Sequence, residues 1–354
     1  MKKLMLGNEA IARGLYEAGV KIVSSYPGTP STEITEFAAK YDDIYCEWAP
    51  NEKVATEVAF GASLRGARTA CAMKHVGLNV AADPLFTLSY TGVNGGLVLF
   101  VADDPAMHSS QNEQDSRHYA IAAKVPMLEP ADSAEAKEFV KQAYEISEKY
   151  DTPVIVRMCT RIAHSQSTVE LCDRVEKELP EYEKNPQKYI MAPANAVRRH
   201  PFVEERTKKI SALGETTDLN RVEMGGTEIG IVCSGTCYQY VKEVFGDTVS
   251  VLKLGIVNPL PNKLFKDFAA KVDKLYVIEE LDGIIESHLK NIGIDCIGKE
   301  MFSPIGEYNQ TTIRKKALSL TLLFRVDLRL CAQAVLTEVC SIHFQSIKSQ
   351  FSAT

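Results

Sequence analysis

The chain has 354 residues, 45% of them hydrophobic and 24% charged, with a formal net charge of −6 and a mean hydropathy of −0.11. These are the values of an ordinary soluble globular chain, long enough for two domains without disulfide or metal staples. The acidic balance, Lys+Arg 40 against Asp+Glu 46, argues against nucleic acid as a partner, because a phosphate backbone calls for a basic face.

The N-terminus reads MKKLMLGNEAIA, where Gly7, Asn8 and Glu9 interrupt the apolar stretch almost at once. No signal peptide is therefore expected, and no run approaches the ~20 apolar residues of a membrane span. The nine cysteines are scattered without paired spacing, which points to free, buried thiols in a reducing, cytoplasmic setting. Cys233 and Cys237, read as a strand residue and the turn after it, make only a weak metal motif. No ferredoxin-type cysteine run is present.

Asn8 is expected to cap a helix running to about Ala18, with Ala10, Ile11 and Leu15 on one face and Gly19 ending it. A buried strand in KIVSS then enters a Pro/Gly turn, and Ser31 starts a helix to about Lys40. In NEKVATEVAFGASLRGAR, Glu52 opens a helix whose expected inner face is Val54, Ala55, Val58, Ala62 and Leu64. A strand TACAMK, a helix from about Leu78 to Tyr90, the strand LVLFVAD and the polar loop HSSQNEQDSRH follow. A helix over about 133–149 and the strand TPVIVRM complete the block. Such continuous apolar strands belong to parallel sheets covered on both faces. From about 172 to 217 the composition turns to charge and proline, an ordered or semi-ordered connector. A second α/β block with strands in TEIGIVCSG, SVLKLGIVNPLP and KLYVIEE runs to about Gly306.

The most informative local pattern is the turn Tyr26-Pro27-Gly28-Thr29-Pro30-Ser31 followed by Asn51-Glu52, with Gly61 nine residues beyond the glutamate. A carboxylate at a helix start meets the positive end of the helix dipole, and the glycine permits close approach of a backbone or ligand. By spacing alone the pair reads better as a capping glutamate and a packing glycine than as a site. Thr29 can likewise be a helix N-cap neighbour, His75 a satisfied strand-end histidine, and the loop around residues 108–117 a solvated surface loop.

Together, SYPGTPSTEI, APNEKVATEVAFGASLRGAR, MKHVGLNVAADPL, VADDPAMHSSQNEQDSRHYA, LGIVNPLP and VIEELD resemble the alpha subunits of indolepyruvate ferredoxin oxidoreductases. The likeness runs from about residue 4 to 317. It implies an α/β fold of two parallel-sheet domains: a thiamine-pyrimidine-binding-type domain (1–171), a connector (172–217) and a transketolase-C-terminal-like domain (218–317). It implies thiamine diphosphate chemistry, in which aryl 2-oxo acids are oxidatively decarboxylated, the acyl group passes to coenzyme A and electrons pass through 4Fe-4S clusters to ferredoxin. Glu52, rather than Glu57, matches the glutamate that hydrogen-bonds N1′ of the aminopyrimidine, with Gly61 as the cofactor-side glycine. Thr29 matches the position that binds the substrate carboxylate, and His75 and Arg117 are further substrate-side candidates. The implied partners are a gamma- or beta-type subunit in a dimer of heterodimers. Pyruvate or another 2-oxo acid is the alternative substrate.

A diphosphate needs Mg2+ and oxygen ligands, which the family places on a Gly-Asp-Gly element absent here. The chain is therefore expected to stop short of the diphosphate-side and ferredoxin-like domains. As given it would then be a non-catalytic fragment, with Mg2+ and the clusters held elsewhere. From Glu307 to Thr354 there is no Gly or Pro, against 21 Gly and 15 Pro in the whole chain. Back-translated from Val326 and shifted by one base, the tail can read through a C-x-G-C-P-H-R signature that resembles the opening of the family's next domain. A frameshift between about Ala317 and Val326 is expected, leaving residues 318–354 aberrant and Cys331 and Cys340 without a role. Resequencing the DNA around that point checks this.

Overall fold

The computed structural model describes residues 1–324, with side chains to 317; the tail, with Cys331 and Cys340, lies outside the described residues. Residues 1–309 form one unit and a second begins at Gln310.

In the first unit the chain runs β1 (Lys2–Leu6), α1 (Gly7–Glu17), β2 (Ile22–Ser25), α2 (Thr32–Ala38), β3 (Tyr45–Trp48), α3 (Glu52–Leu64), β4 (Thr69–Lys74), α4 (His75–Thr91) and β5 (Leu97–Asp103). It continues through α5 (Arg117–Ala123), β6 (Met127–Leu128), α6 (Ser133–Tyr150), β7 (Val154–Cys159), α7 (Thr160–His164) and β8 (Gln166–Glu170). After α8 (Pro186–Tyr189) and α9 (Pro193–Gly214) come β9 (Arg221–Glu223), β10 (Ile229–Ser234), α10 (Thr236–Phe245), β11 (Ser250–Leu254), β12 (Ile256–Asn258), α11 (Asn262–Ala269), β13 (Lys274–Ile278) and α12 (Ile284–Asn291). The second unit is described as one helix, α13 (Gln310–Phe324). No helix among the described residues is long and apolar enough to cross a membrane.

Seven strands form the main sheet in the order β12-β6-β7-β5-β4-β2-β3. It is parallel from β6 to β3, and β12 adds antiparallel to β6. Alternation sorts its side chains by face. Cys71, Met73, Leu99 and Val101 pack with Ala55 and Ala59 of α3 and Leu78 and Leu85 of α4. Ala70, Ala72, Val98 and Phe100 pack on the other face with α1, α2 and α6. A second sheet, β13-β10-β11-β9, is parallel except for edge strand β9. Its Val232, Leu252 and Val277 join the α3–α4 side of the core. The fold is thus α/β with two mostly parallel sheets, each carrying an antiparallel edge strand; β12, from the second block, extends the first sheet. A separate ribbon pairs β1 with β8.

Strand order reverses between β2 and β4. The connection from β2 leads outward to β3, and the next one passes back over β2 to β4 and on to β5. Right-handed crossovers in opposite directions put α2 and α3 on opposite faces, as the two core clusters record. In open α/β sheets the crevice outside the carboxyl ends of the strands at such a reversal is where ligands bind.

Three local expectations are corrected. Asn8 does not cap α1, which starts at Gly7; its buried Nδ2 donates to the Pro30 carbonyl and Glu33 Oε2, both at 2.9 Å. The inner face of α3 is Glu52, Ala55, Thr56, Ala59 and Ser63, and Val58 is exposed. Small polar residues can occupy that face because each finds a carbonyl: Thr56 donates to Glu52 O and Ser63 to Gly95 O. Cys237 lies in α10 rather than a turn. Of the described cysteines, Cys172 is exposed and Cys46 half-buried; the other five are buried. The charged connector contains the 22-residue helix α9, whose buried positions are Val203, Arg206, Ile210 and Gly214.

Candidate functional site at the strand-order reversal

The Tyr26–Ser31 turn is held at the carboxyl end of β2 by its own hydroxyls. Ser31 Oγ donates to Gly28 O at 2.8 Å, and Gly28 N–H to Thr32 Oγ1 at 2.9 Å. Thr35 Oγ1 donates to Ser25 Oγ, which accepts the amide of Ala72 on β4. Thr29 stands exposed at the tip. Its neighbour Gly28 lies against Lys74, the last residue of β4: a Cβ on Gly28 would sit 3.1 Å from Lys74 Cγ and Cδ.

Glu52 is the first residue of α3, with Asn51 capping the helix through Val54 N–H at 3.0 Å. Its side chain is buried, 8% exposed, and no hydrogen bond from the described residues reaches its carboxylate. It lies on the first turn of α4, where a Cβ on Gly77 would be 2.5 Å from Glu52 Oε1 and 2.7 Å from its Cγ. Gly77, which the sequence reading did not single out, is therefore the glycine that admits the carboxylate. Gly61, by contrast, is exposed, and an added Cβ would meet open space. Nine helical residues at ~1.5 Å each separate it from Glu52. The rival Glu57 is exposed.

His75 opens α4 and is 1% exposed. Its Nε2 donates to the Asn112 carbonyl at 3.1 Å, which leaves Nδ1 as a bare acceptor, buried without a partner among the described residues. Asn112 belongs to the polar loop, which is ordered by carboxylates rather than solvated throughout. Asp104 accepts from Ser109 N–H and Ser110 Oγ, both at 2.8 Å, and from Thr160 Oγ1 at 2.7 Å. Burial pushes the Asp104 carboxyl up, but these hydrogen bonds outweigh it and hold it below its usual value. Glu113 Oε1 accepts the Ala106 amide. Folded back in this way, the loop brings Ser109 Oγ to the Thr29 carbonyl at 3.4 Å. Thr29, His75 and the loop thus meet at the crevice, with Glu52 on the adjoining helix turn.

Arg117, a substrate-side candidate by resemblance, is placed apart from that group. Its guanidinium is 1% exposed. It donates to Asp115, to Glu279 Oε2 at 2.5 Å and to the carbonyls of Glu280 and Asp282. The carboxylate it faces is the chain's own. Next to it Arg157 donates to Asp103 Oδ2 at 2.7 Å and Glu129 Oε1 at 2.6 Å. Burial pushes Asp115 up, but Arg117 and Arg157 hold its carboxyl well below the usual range. Burial pushes Glu280 up to about 7 against the Tyr308 amide that it accepts. This buried network joins the carboxyl ends of β5, β7 and β13 and locks the two sheets together.

A doubly covered sheet with its polar groups gathered where strand order reverses is the form of an α/β cofactor-binding domain. The family model described as pyruvate flavodoxin/ferredoxin oxidoreductase, thiamine diphosphate-binding, matches residues 13–222. The indolepyruvate oxidoreductase subunit IorA of Archaeoglobus fulgidus is 43% identical over 323 residues, 87% of this chain and 52% of the relative. That of Pyrococcus horikoshii is 42% identical, over 88% and 51%. Among solved structures, 2-oxoglutarate:ferredoxin oxidoreductase from Magnetococcus marinus superposes with a TM-score of 0.74, covering 90% of this chain and 65% of that one. A split-gene transketolase gives 0.54, over 88% and 96%. At 18% and 15% identity these two show the fold. The chain belongs to the pyruvate flavodoxin/ferredoxin oxidoreductase family. It spans about half the length of the curated relatives it matches.

Proposed function

We propose that this chain supplies the pyrimidine side of a thiamine diphosphate site in an oxidoreductase that decarboxylates aryl 2-oxo acids. The observation that carries the reading is Glu52, 8% exposed, its carboxylate against the first turn of α4 and without a hydrogen bond from the described residues. A carboxylate oxygen with no protein donor has room for one, and a ligand would bring it. The aminopyrimidine ring, flat and with a protonatable nitrogen, fits that need. When bound, thiamine diphosphate supplies the carbon nucleophile and electron sink for breaking the bond between a carboxylate and a ketone carbon.

In this reading Glu52 holds a proton between its carboxyl oxygen and the ring nitrogen N1′, on the turn beneath Gly77. His75 Nδ1 offers a second buried acceptor. Thr29 presents its hydroxyl at the mouth of the crevice, and the loop around Ser109 and Asn112 covers it. Gly61, at the exposed face of α3, is left for contact with polypeptide or ligand outside this chain.

In this reading Mg2+ and the 4Fe-4S clusters are held by residues other than those described. Coenzyme A as acyl acceptor, ferredoxin as electron acceptor and a second subunit complete the proposed assembly. Calorimetric titration of the assembled enzyme, this chain with the subunits and domains that complete the site, with thiamine diphosphate and Mg2+ tests the core of it. Saturable binding that Glu52→Gln weakens at least about tenfold supports the assignment; no binding, or equal binding by the variant, refutes it. Assay of the assembled enzyme with indolepyruvate and pyruvate then decides the substrate.

A further inference from the structure

Resting on the reading of this crevice as a 2-oxo acid site, we propose that Lys74 is the residue that binds the substrate's carboxylate. An anionic substrate entering a half-buried crevice calls for a cation, and the candidates on this chain are few. The Arg117 guanidinium is committed to Asp115 and Glu279 inside the protein. His108 and Arg161 share Glu307, His164 pairs with Glu33 and His118 with Asp282. Among the described residues no carboxylate oxygen lies within salt-bridge distance of Lys74, whose ammonium instead donates to the Ser109 carbonyl at 3.0 Å. Two of its three N–H groups remain for a ligand.

Its position is set from both sides. As the last residue of β4 and the N-cap of α4, Lys74 sits where strand order reverses. Its aliphatic stem lies over Gly28, at a distance that leaves no room for a Cβ without displacement. Its ammonium is fixed by Ser109, whose hydroxyl donates to the carbonyl of Thr29. An ammonium held in place in the free protein loses little freedom on binding. Three residues further on, Gly77 touches the Glu52 carboxylate. The first turn of α4 therefore has the proposed cofactor contact at one end and a cation at the other. No side chain caps that 17-residue helix, so its amides also face the incoming anion. The buried, unpartnered Nδ1 of His75 on the same turn is a second sign that a ligand completes this site.

The test is calorimetric titration of the assembled enzyme with phenylpyruvate and, separately, with its methyl ester, which keeps the ring and ketone but lacks the charge. Lys74→Met should weaken phenylpyruvate binding about 10- to 100-fold and leave the ester within about twofold, while Lys74→Arg restores most of the loss. Thermal unfolding of the variants checks the fold. Equal phenylpyruvate affinity in wild type and Lys74→Met overturns the proposal, and so does equal weakening of acid and ester, which would mark a structural role. Wild type that binds thiamine diphosphate but no phenylpyruvate overturns Lys74 and leaves the cofactor reading standing. Lys74-dependent phenylpyruvate binding without thiamine diphosphate binding does the reverse.

Discussion

Replacing Gly77 by alanine separates the site from the fold. The added Cβ would lie 2.5 Å from Glu52 Oε1, 2.7 Å from Cγ and 2.8 Å from Cδ, far inside van der Waals contact. All three atoms belong to a side chain, so Glu52 must swing away while the two helix backbones stay. Displacing it from its rotamer costs about 0.5–1.5 kcal/mol, and alanine in a helix regains up to about 1 kcal/mol over glycine. The two nearly cancel, so the unfolding free energy should move by less than about 1 kcal/mol. The cofactor contact has no such compensation. Losing one hydrogen bond to a charged group costs about 1.5–3 kcal/mol, or roughly 10- to 150-fold in Kd. Titration with thiamine diphosphate and Mg2+, alongside thermal unfolding, reads both quantities. The Gly77→Ala, Glu52→Gln double variant should lose little more than either single one, because both remove the same contact. Unchanged cofactor affinity in Gly77→Ala would refute the placement of Glu52 at the site.

Arg117→Met leaves Asp115 and Glu279 buried without their cation and should cost about 3–5 kcal/mol in urea unfolding; a loss below about 1 kcal/mol would contradict its structural role. Glu280, raised to about 7 by burial, keeps a proton in the folded state that the unfolded chain releases near 4.5. Its contribution to stability is full below the unfolded value and is lost as pH rises towards about 7. Glu280→Gln keeps an acceptor for the Tyr308 amide and should flatten the wild-type decline between about pH 5 and 8; parallel stability curves would count against the assignment. Gly61→Ala meets open space on an exposed helix face and should stabilise the chain by about 0.5–1 kcal/mol. Destabilisation would show that this face is packed.

Chemical pattern made the scaffold readable in advance. TACAMK, LVLFVAD and TPVIVRM could only be strands buried on both faces, because such runs leave no polar side to turn to water. The YPGTP turn and the capped start of α3 were equally plain, since both depend on local backbone chemistry. The length of α9 was hidden because one of its four buried positions is Arg206, which donates to the carbonyls of Asp151 and Ser89. Apolar periodicity does not register a buried guanidinium.

What the amino-acid order determined by itself is therefore the main buried strands with the helices between them and the family, which rest on local pattern. Which polar groups face the crevice was decided only by the tertiary structure, because burial of a charge depends on a partner distant in the chain. Arg117 is withdrawn by Glu279, 162 residues away, and Asn8 is turned from a cap into a clasp by Pro30 and Glu33. Gly77 rather than Gly61 meets Glu52 because α3 and α4 pack with their first turns together. Lys74 has no carboxylate partner among the described residues because its stem is packed on Gly28 and its ammonium is turned to the Ser109 carbonyl.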